Sequence, residues 1–162
     1  QLVLTVLSVD NENDPDVVAL NAASAAIAIS PAPWNGPVAA VRVGLDENNA
    51  VVVNPKNGKV NATLDLVVAS SENLITMLEA GAKQVPEDKA FEALTAGFEA
   101  NKQIIAVINE LKEEMKEIEE SLNNHLINLF QMTGSNSFDT SDGDQREFSI
   151  RAKVKPKKAK AD

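Results

Sequence analysis

The stretch that most constrains the fold begins at Pro86-Glu87-Asp88 and runs to about Leu122 with no proline after Pro86. Apolar residues recur at spacings of three or four through Phe91, Leu94, Phe98, Ile105, Ile108 and Leu111, the pattern of a long amphipathic helix. Proline with two acids makes a good first turn. A helix of this length must rest its apolar stripe on something, so the rest of the chain is read for that surface. Past Glu110 the pattern changes, with acids at 110, 113, 114, 117, 119 and 120. That part reads as a solvated projection, the alternative being contact with a partner helix.

The surface is offered by Val38–Leu45, Ala50–Asn54, Leu64–Ser70 and Leu74–Ala80, all rich in valine, alanine and leucine. The polar turns Asp46-Glu47-Asn48-Asn49 and Asn57-Gly58 between them suit antiparallel hairpins rather than helical crossovers. Upstream, Gln1–Val9 reads as a strand from its β-branched content and its alternation of apolar and polar residues. At Asp14-Pro15-Asp16 the signals turn to a helix start, running to about Ile29. Asp14 is placed to cap, Pro15 suits the first helical position, and Asp16 opposes the helix dipole. The Ala-rich body of this helix predicts close burial against the sheet. Ser30–Pro37 holds three prolines and a glycine and must loop. Trp34, the only tryptophan, is expected there as a plug at the core edge. The expected class is α+β: a small, mostly antiparallel sheet packed by a buried Ala-rich helix and a long C-terminal helix.

Composition narrows the chemistry. The chain has 162 residues and no cysteine, so disulfides, thiolate metal sites and thiol nucleophiles are excluded. No apolar run approaches the ~20 residues that span a bilayer, so no membrane role is expected. The net charge is −9. Six basic residues (Arg151, Lys153, Lys155, Lys157, Lys158, Lys160) face one acid at the C-terminal end, leaving 9 basic and 23 acidic groups elsewhere. The body should therefore repel RNA phosphates, and the tail is the candidate RNA-phosphate contact. Its plain alternative is a solubilising end. His125, the single histidine, is expected to be structural. Thr133–Asp144 has linker composition. The domain reading is a core segment over 1–122, a linker over 123–150 and a basic disordered tail over 151–162. The chain starts at Gln1 rather than Met, pointing either to a removed organellar leader or to a cut within a longer polypeptide.

The blocks DPDVVALNAASAAIAIS, PWNGPVAAVRVGL, VVNP and LDLVVA, in that order, resemble the first ribonuclease PH-type core of the polynucleotide phosphorylases, over about Gln1–Leu122. The resemblance implies half of a ribonuclease PH-like domain, whose partner sheet comes from the earlier half of the same core. It also implies other ribonuclease PH-like core segments, or further subunits of a large complex, as partners, with RNA reached through the assembly. In that family the second core performs phosphorolysis: phosphate attacks the last phosphodiester of an RNA 3′ end with help from Mg2+, releasing a nucleoside diphosphate. The active core holds phosphate with serines before the buried helix, and the matching segment here is Asp14-Pro15-Asp16. Two carboxylates and a proline add like charge and remove an amide donor. Thr63 stands in place of a catalytic acid and Val67 in place of the lysine, so Asp65 is the only remnant of a metal site. No catalytic residue and no cofactor is expected in this chain. Asp65 is expected to accept hydrogen bonds from a neighbouring turn, and Arg42 to pair with an acid. Residues 123–162 do not resemble the helical linker domain that the family would place next.

The function expected from the resemblance is a non-catalytic part of a polynucleotide phosphorylase-type assembly in RNA degradation or processing. The alternative is a degenerate relative serving as a structural subunit of an organellar ribonucleoprotein such as the mitochondrial ribosome. The wording PWNGPV resembles mitochondrial members, making the mitochondrial matrix the first compartment, with plastid or bacterial cytoplasm behind it.

Overall fold

A computed structural model describes residues 1–56 and 61–150. The Asn57-Gly58 turn and the basic tail lie outside the described residues. In chain order the elements are α1 (Pro15–Ala28), β1 (Ala39–Leu45), β2 (Val51–Val53), β3 (Asn61–Ser70), β4 (Ile75–Ala82), α2 (Glu87–Thr133), β5 (Ser137–Asp139) and β6 (Gln145–Glu147). The chain divides into two compact units, Gln1–Met115 and Lys116–Asp162.

In the first unit β2-β1-β3-β4 form one sheet in that order, each neighbouring pair antiparallel. This is the arrangement that short polar turns permit. Strand alternation sends the side chains to two cores. Val41, Val43 and Leu45 of β1 join Leu64, Leu66 and Val68 of β3 and Ala93 of α2. On the other face Ala40 and Ala69 meet Val17 of α1, with Val38, Val67 and Leu20 around them. Two helices thus cover opposite faces of one sheet, as the Ala-rich and amphipathic patterns predict.

The close approach has identifiable causes. A methyl group added at Gly97 of α2 would lie 2.9 Å from Val68 Cγ2 and 3.0 Å from Val43 Cγ2, so only glycine lets the helix sit this near the sheet. Asn101, fully buried one turn later, donates through Nδ2 to the Val68 carbonyl and to Ser70 Oγ, both at 3.0 Å. These bonds fall beside the register shift between Ala69 and Ser70. On the opposite face Asn21 of α1 grips β1 twice: Nδ2 donates to the Ala40 carbonyl at 2.8 Å and Oδ1 accepts from the Ala40 amide at 2.9 Å. The Val38 amide donates to Ser24 Oγ. The helix is therefore held by polar pins as well as by Val17.

Three expectations are corrected. Gln1–Val9 pairs with no strand among the described residues and is exposed along its length; a β pattern gives a strand only where another strand supplies hydrogen bonds. Trp34 joins neither core. It is partly exposed and lies over Gly36, where an added Cβ would come within 2.3 Å of its ring, so it shapes the loop before the cis Gly36–Pro37 bond. The second unit is more regular than a linker. Helix α2 passes Leu122 and ends at Thr133, where Gly134 takes φ +69° and its amide donates to the Phe130 carbonyl, a glycine C-cap. Within Thr133–Asp144 and just beyond it, β5 pairs with β6 around Gly143 at φ +85°, and Phe138 and Phe148 rest 6.3 Å apart. His125 is an exposed residue of α2.

Candidate functional site

The chemistry-bearing residues of the first unit meet at one point on the α1 face of the sheet. Arg42 of β1 pairs in register with Val67 of β3, and its side chain lies on the same face as those of Ala40 and Val67. Its Nη1 donates to both oxygens of Asp65 at 3.1 and 3.0 Å. Nη2 donates to Asp16 Oδ2 at 2.7 Å, and Nε stands 3.0 Å from Asp14 Oδ2 in an ion pair. One guanidinium thus joins the start of α1 to two strands, the planar fork allowing three directions at once.

The backbone is fixed as firmly. The Arg42 amide donates to Asn54 Oδ1 at 3.0 Å, and the Asn54 amide returns a bond to the Arg42 carbonyl at 2.7 Å. Asn54 takes φ +49°, a conformation asparagine tolerates better than most residues. At the helix start Asp14 occupies the N-cap position with extended φ and ψ but makes no side-chain cap bond. Its carboxylate faces Arg42 instead. Asp16 accepts from the Val17 amide at 2.6 Å while holding Arg42. Pro15 stands at the helix start as its fixed φ predicts.

Burial lowers the Arg42 pKa, but the Asp16 hydrogen bond and the charges of Asp65, Asp16 and Asp14 outweigh it and hold it above the ordinary guanidinium value. The cation is permanent, and three carboxylates surround it, leaving a formal local charge of about −2. An anion such as phosphate meets net repulsion here. Nor do the residues fit a divalent cation. Asp14, Asp16 and Asp65 all point at the guanidinium, and no group of three or more acidic or imidazole side chains among the described residues is arranged to hold a metal ion. Asp65 therefore receives its hydrogen bonds from Arg42 on the neighbouring strand rather than from a turn, and Arg42 pairs with acids as expected.

Beside this cluster a groove of about 610 Å³ runs between Leu4–Asp10 and α1, with Val17, Asn21, Arg42, Asn54 and Pro55 in its lining. Its apolar walls continue onto exposed Leu4, Val6, Leu7 and Val18. The described candidates thus gather at Asp65, with Arg42, Asp14 and Asp16 joining it. Arg151, Lys153, Lys155, Lys157, Lys158 and Lys160 lie outside the described residues. The convergence of Asp14 and Asp16 on Arg42, 28 and 26 positions away in sequence, had no local signal beyond the clustered acids and a lone basic residue in an apolar strand.

Comparison with known proteins agrees with this architecture. Residues 36–100 match the 3′ exoribonuclease family, domain 2. The chain is 42% identical over 112 residues to a polyribonucleotide nucleotidyltransferase of Spiroplasma citri, covering 68% of this chain and 16% of that protein. It is 43% identical over 116 residues to the enzyme of the same name from Koribacter versatilis, covering 71% and 14%. It spans about one sixth of the length of these relatives. The crystal structure of rice (Oryza sativa) Rrp46 superimposes with a TM-score of 0.56 at 15% identity, over 65% of this chain and 51% of that one, which shows a shared fold. With its α+β sheet, its two covering helices and these relatives, the chain belongs to the ribonuclease PH-type 3′ exoribonuclease family, as a segment related to polyribonucleotide nucleotidyltransferases.

Proposed function

We propose that this chain is a non-catalytic core segment of a polynucleotide phosphorylase-type assembly, one that degrades or processes RNA from the 3′ end with phosphate. The observation that carries the reading is the closed charge cluster. The segment matching the phosphate-holding serines contributes Asp14 and Asp16 to Arg42, and the one surviving carboxylate, Asp65, is bound to the same cation. A cation engaged by three carboxylates cannot neutralise a transferring phosphoryl group, and Val67 offers no second one. The Mg2+ and phosphate of the parent reaction belong, in this reading, to another core.

The contribution is architectural. Leu2, Val3, Leu4, Val6 and Leu7, together with Val18 of α1, are exposed, apolar side chains of the kind a partner covers. The earlier half of the same core, or another ribonuclease PH-like segment, is the partner we assign to it. The compartment we propose is the mitochondrial matrix. Among the described residues no helix is long and apolar enough to cross a membrane.

Native mass and co-purification test the proposal. The expected result is a complex containing ribonuclease PH-like segments, one of which carries the serines and acids missing here. Co-purification with ribosomal RNA and many unrelated proteins instead would favour the structural-subunit reading and sink this one.

A further inference from the structure

Helix α2 carries a pattern that the sheet uses only at its start, where Ile104 packs on the core and Ile108 is buried. From Ile104 its positions 104, 108, 111, 115, 118, 122, 125, 129 and 132 alternate spacings of four and three without interruption. They are occupied by Ile, Ile, Leu, Met, Ile, Leu, His, Leu and Met. This is a heptad seam, with 115, 122 and 129 as a positions and 111, 118, 125 and 132 as d positions. Ile108 is buried. In the second unit the seam lies open: Ile118 is 61% exposed, Leu122 54% and Met132 86%. A solvated helix does not need such a repeat, and a straight helix packed on one domain drifts from it.

Charge decides what fits the seam. Residues 110–120 hold six acids and two lysines, whereas 121–138 contain no Asp, Glu, Lys or Arg. In a parallel pairing of two copies the acidic block would lie on itself, and Glu114 at a g position would face Glu119 at the e position of the other copy, a repulsive contact. In the antiparallel pairing centred between Asn123 and Asn124, Ile118 packs against Leu129 of the second copy and Leu122 against its His125, each layer occurring twice. That register sets Glu114–Glu120 of each copy against the uncharged helical residues 127–133 of the other. We infer that Ile118–Leu129 is an antiparallel coiled-coil surface whose occupant is the same segment of a second copy. His125 is the one polar residue in the seam, and such a residue selects register at a cost in stability.

Sedimentation velocity of the whole chain across a concentration series is the test, with Ile118→Glu and Leu129→Glu placed on the seam. Ile118 is exposed and Leu129 only partly covered in the single chain, and the variants are expected to keep wild-type helicity by circular dichroism. The wild type should be a reversible dimer. Each variant should raise the dissociation constant more than about a hundredfold, since every dimer loses two desolvated apolar side chains. His125→Leu should tighten the dimer. The chain lacks cysteine, so orientation can be read by mixing Leu122→Cys with His125→Cys. Disulfides between the two variants, and few within either, are expected. A monomer at all concentrations, association indifferent to both glutamates, or disulfides forming chiefly within the Leu122→Cys variant would each overturn the inference.

Discussion

Replacing Arg42 by methionine removes the only cation among Asp14, Asp16 and Asp65 while keeping most of the apolar stem. The loss is a bidentate pair with Asp65, a 2.7 Å hydrogen bond to Asp16 and a 3.0 Å ion pair with Asp14. The Asp16 and Asp65 side chains are 54% and 61% exposed, so solvent screens both pairs and each is discounted to ~0.5 kcal/mol. Asp14 is more enclosed, at 33%, and is left facing two other carboxylates, adding roughly 1 kcal/mol of unrelieved repulsion. The expected loss is about 2 kcal/mol, or ~4–8 °C in Tm for a chain of this size. Urea unfolding followed by far-UV circular dichroism measures it. The triple variant Arg42→Met with Asp16→Asn and Asp65→Asn should recover about half of the loss, the share that like-charge repulsion contributes. Salt gives an independent sign. Raising NaCl from 0.05 to 0.5 M should weaken the wild type slightly and strengthen Arg42→Met, since screening relieves repulsion. A neutral or stabilising Arg42→Met, or equal salt responses, would refute the view that this cluster ties α1 to the sheet.

Gly97→Ala should destabilise by ~1–3 kcal/mol despite alanine's better helix propensity, because its methyl group meets two valines at about 3 Å; denaturant midpoints decide, and a gain in stability would contradict the tight helix–sheet contact. Asn101→Ala should cost roughly 2 kcal/mol through the lost bonds to Val68 and Ser70 and the cavity left behind, with a lower midpoint at unchanged m-value as its mark. For the tail we predict RNA binding that a chain ending at Ile150 loses, with a log–log salt slope of at most ~4–5 in magnitude for six cations on single-stranded RNA. Equal affinity of the two chains would remove Arg151, Lys153, Lys155, Lys157, Lys158 and Lys160 from consideration.

Where the sequence was legible, the determinants were local. Pro15 begins α1 where its fixed φ belongs, and the β1 and β3 patterns, β-branched and alternating against both helices, match their strands closely. The misses have physical reasons. Gln1–Val9 has strand chemistry without a strand to bond to, and pairing outweighs propensity. The end of α2 was written in Gly134, but the charged stretch after Glu110 drew attention from the heptad that continues beneath it. The β5–β6 hairpin hides in polar composition, its signals being Asp142-Gly143 and two phenylalanines that meet only when the strands pair. The Arg42 cluster depends on tertiary closure. Asp14 reads as a helix cap by position, yet a guanidinium arriving from β1 takes its carboxylate away.

In the function we propose, this segment shapes an RNA-degrading assembly without doing its chemistry. Phosphorolysis by the assembly that contains it, with labelled single-stranded RNA, phosphate and Mg2+, tests this when wild type is compared with Asp65→Ala in this segment alone. Nucleoside diphosphate release at an unchanged kcat per active core is expected, with only a lowered Tm, and no phosphate-dependent release by the isolated chain. A fall in kcat of a hundredfold or more without loss of assembly, or Asp65-dependent release by the isolated chain, would contradict it.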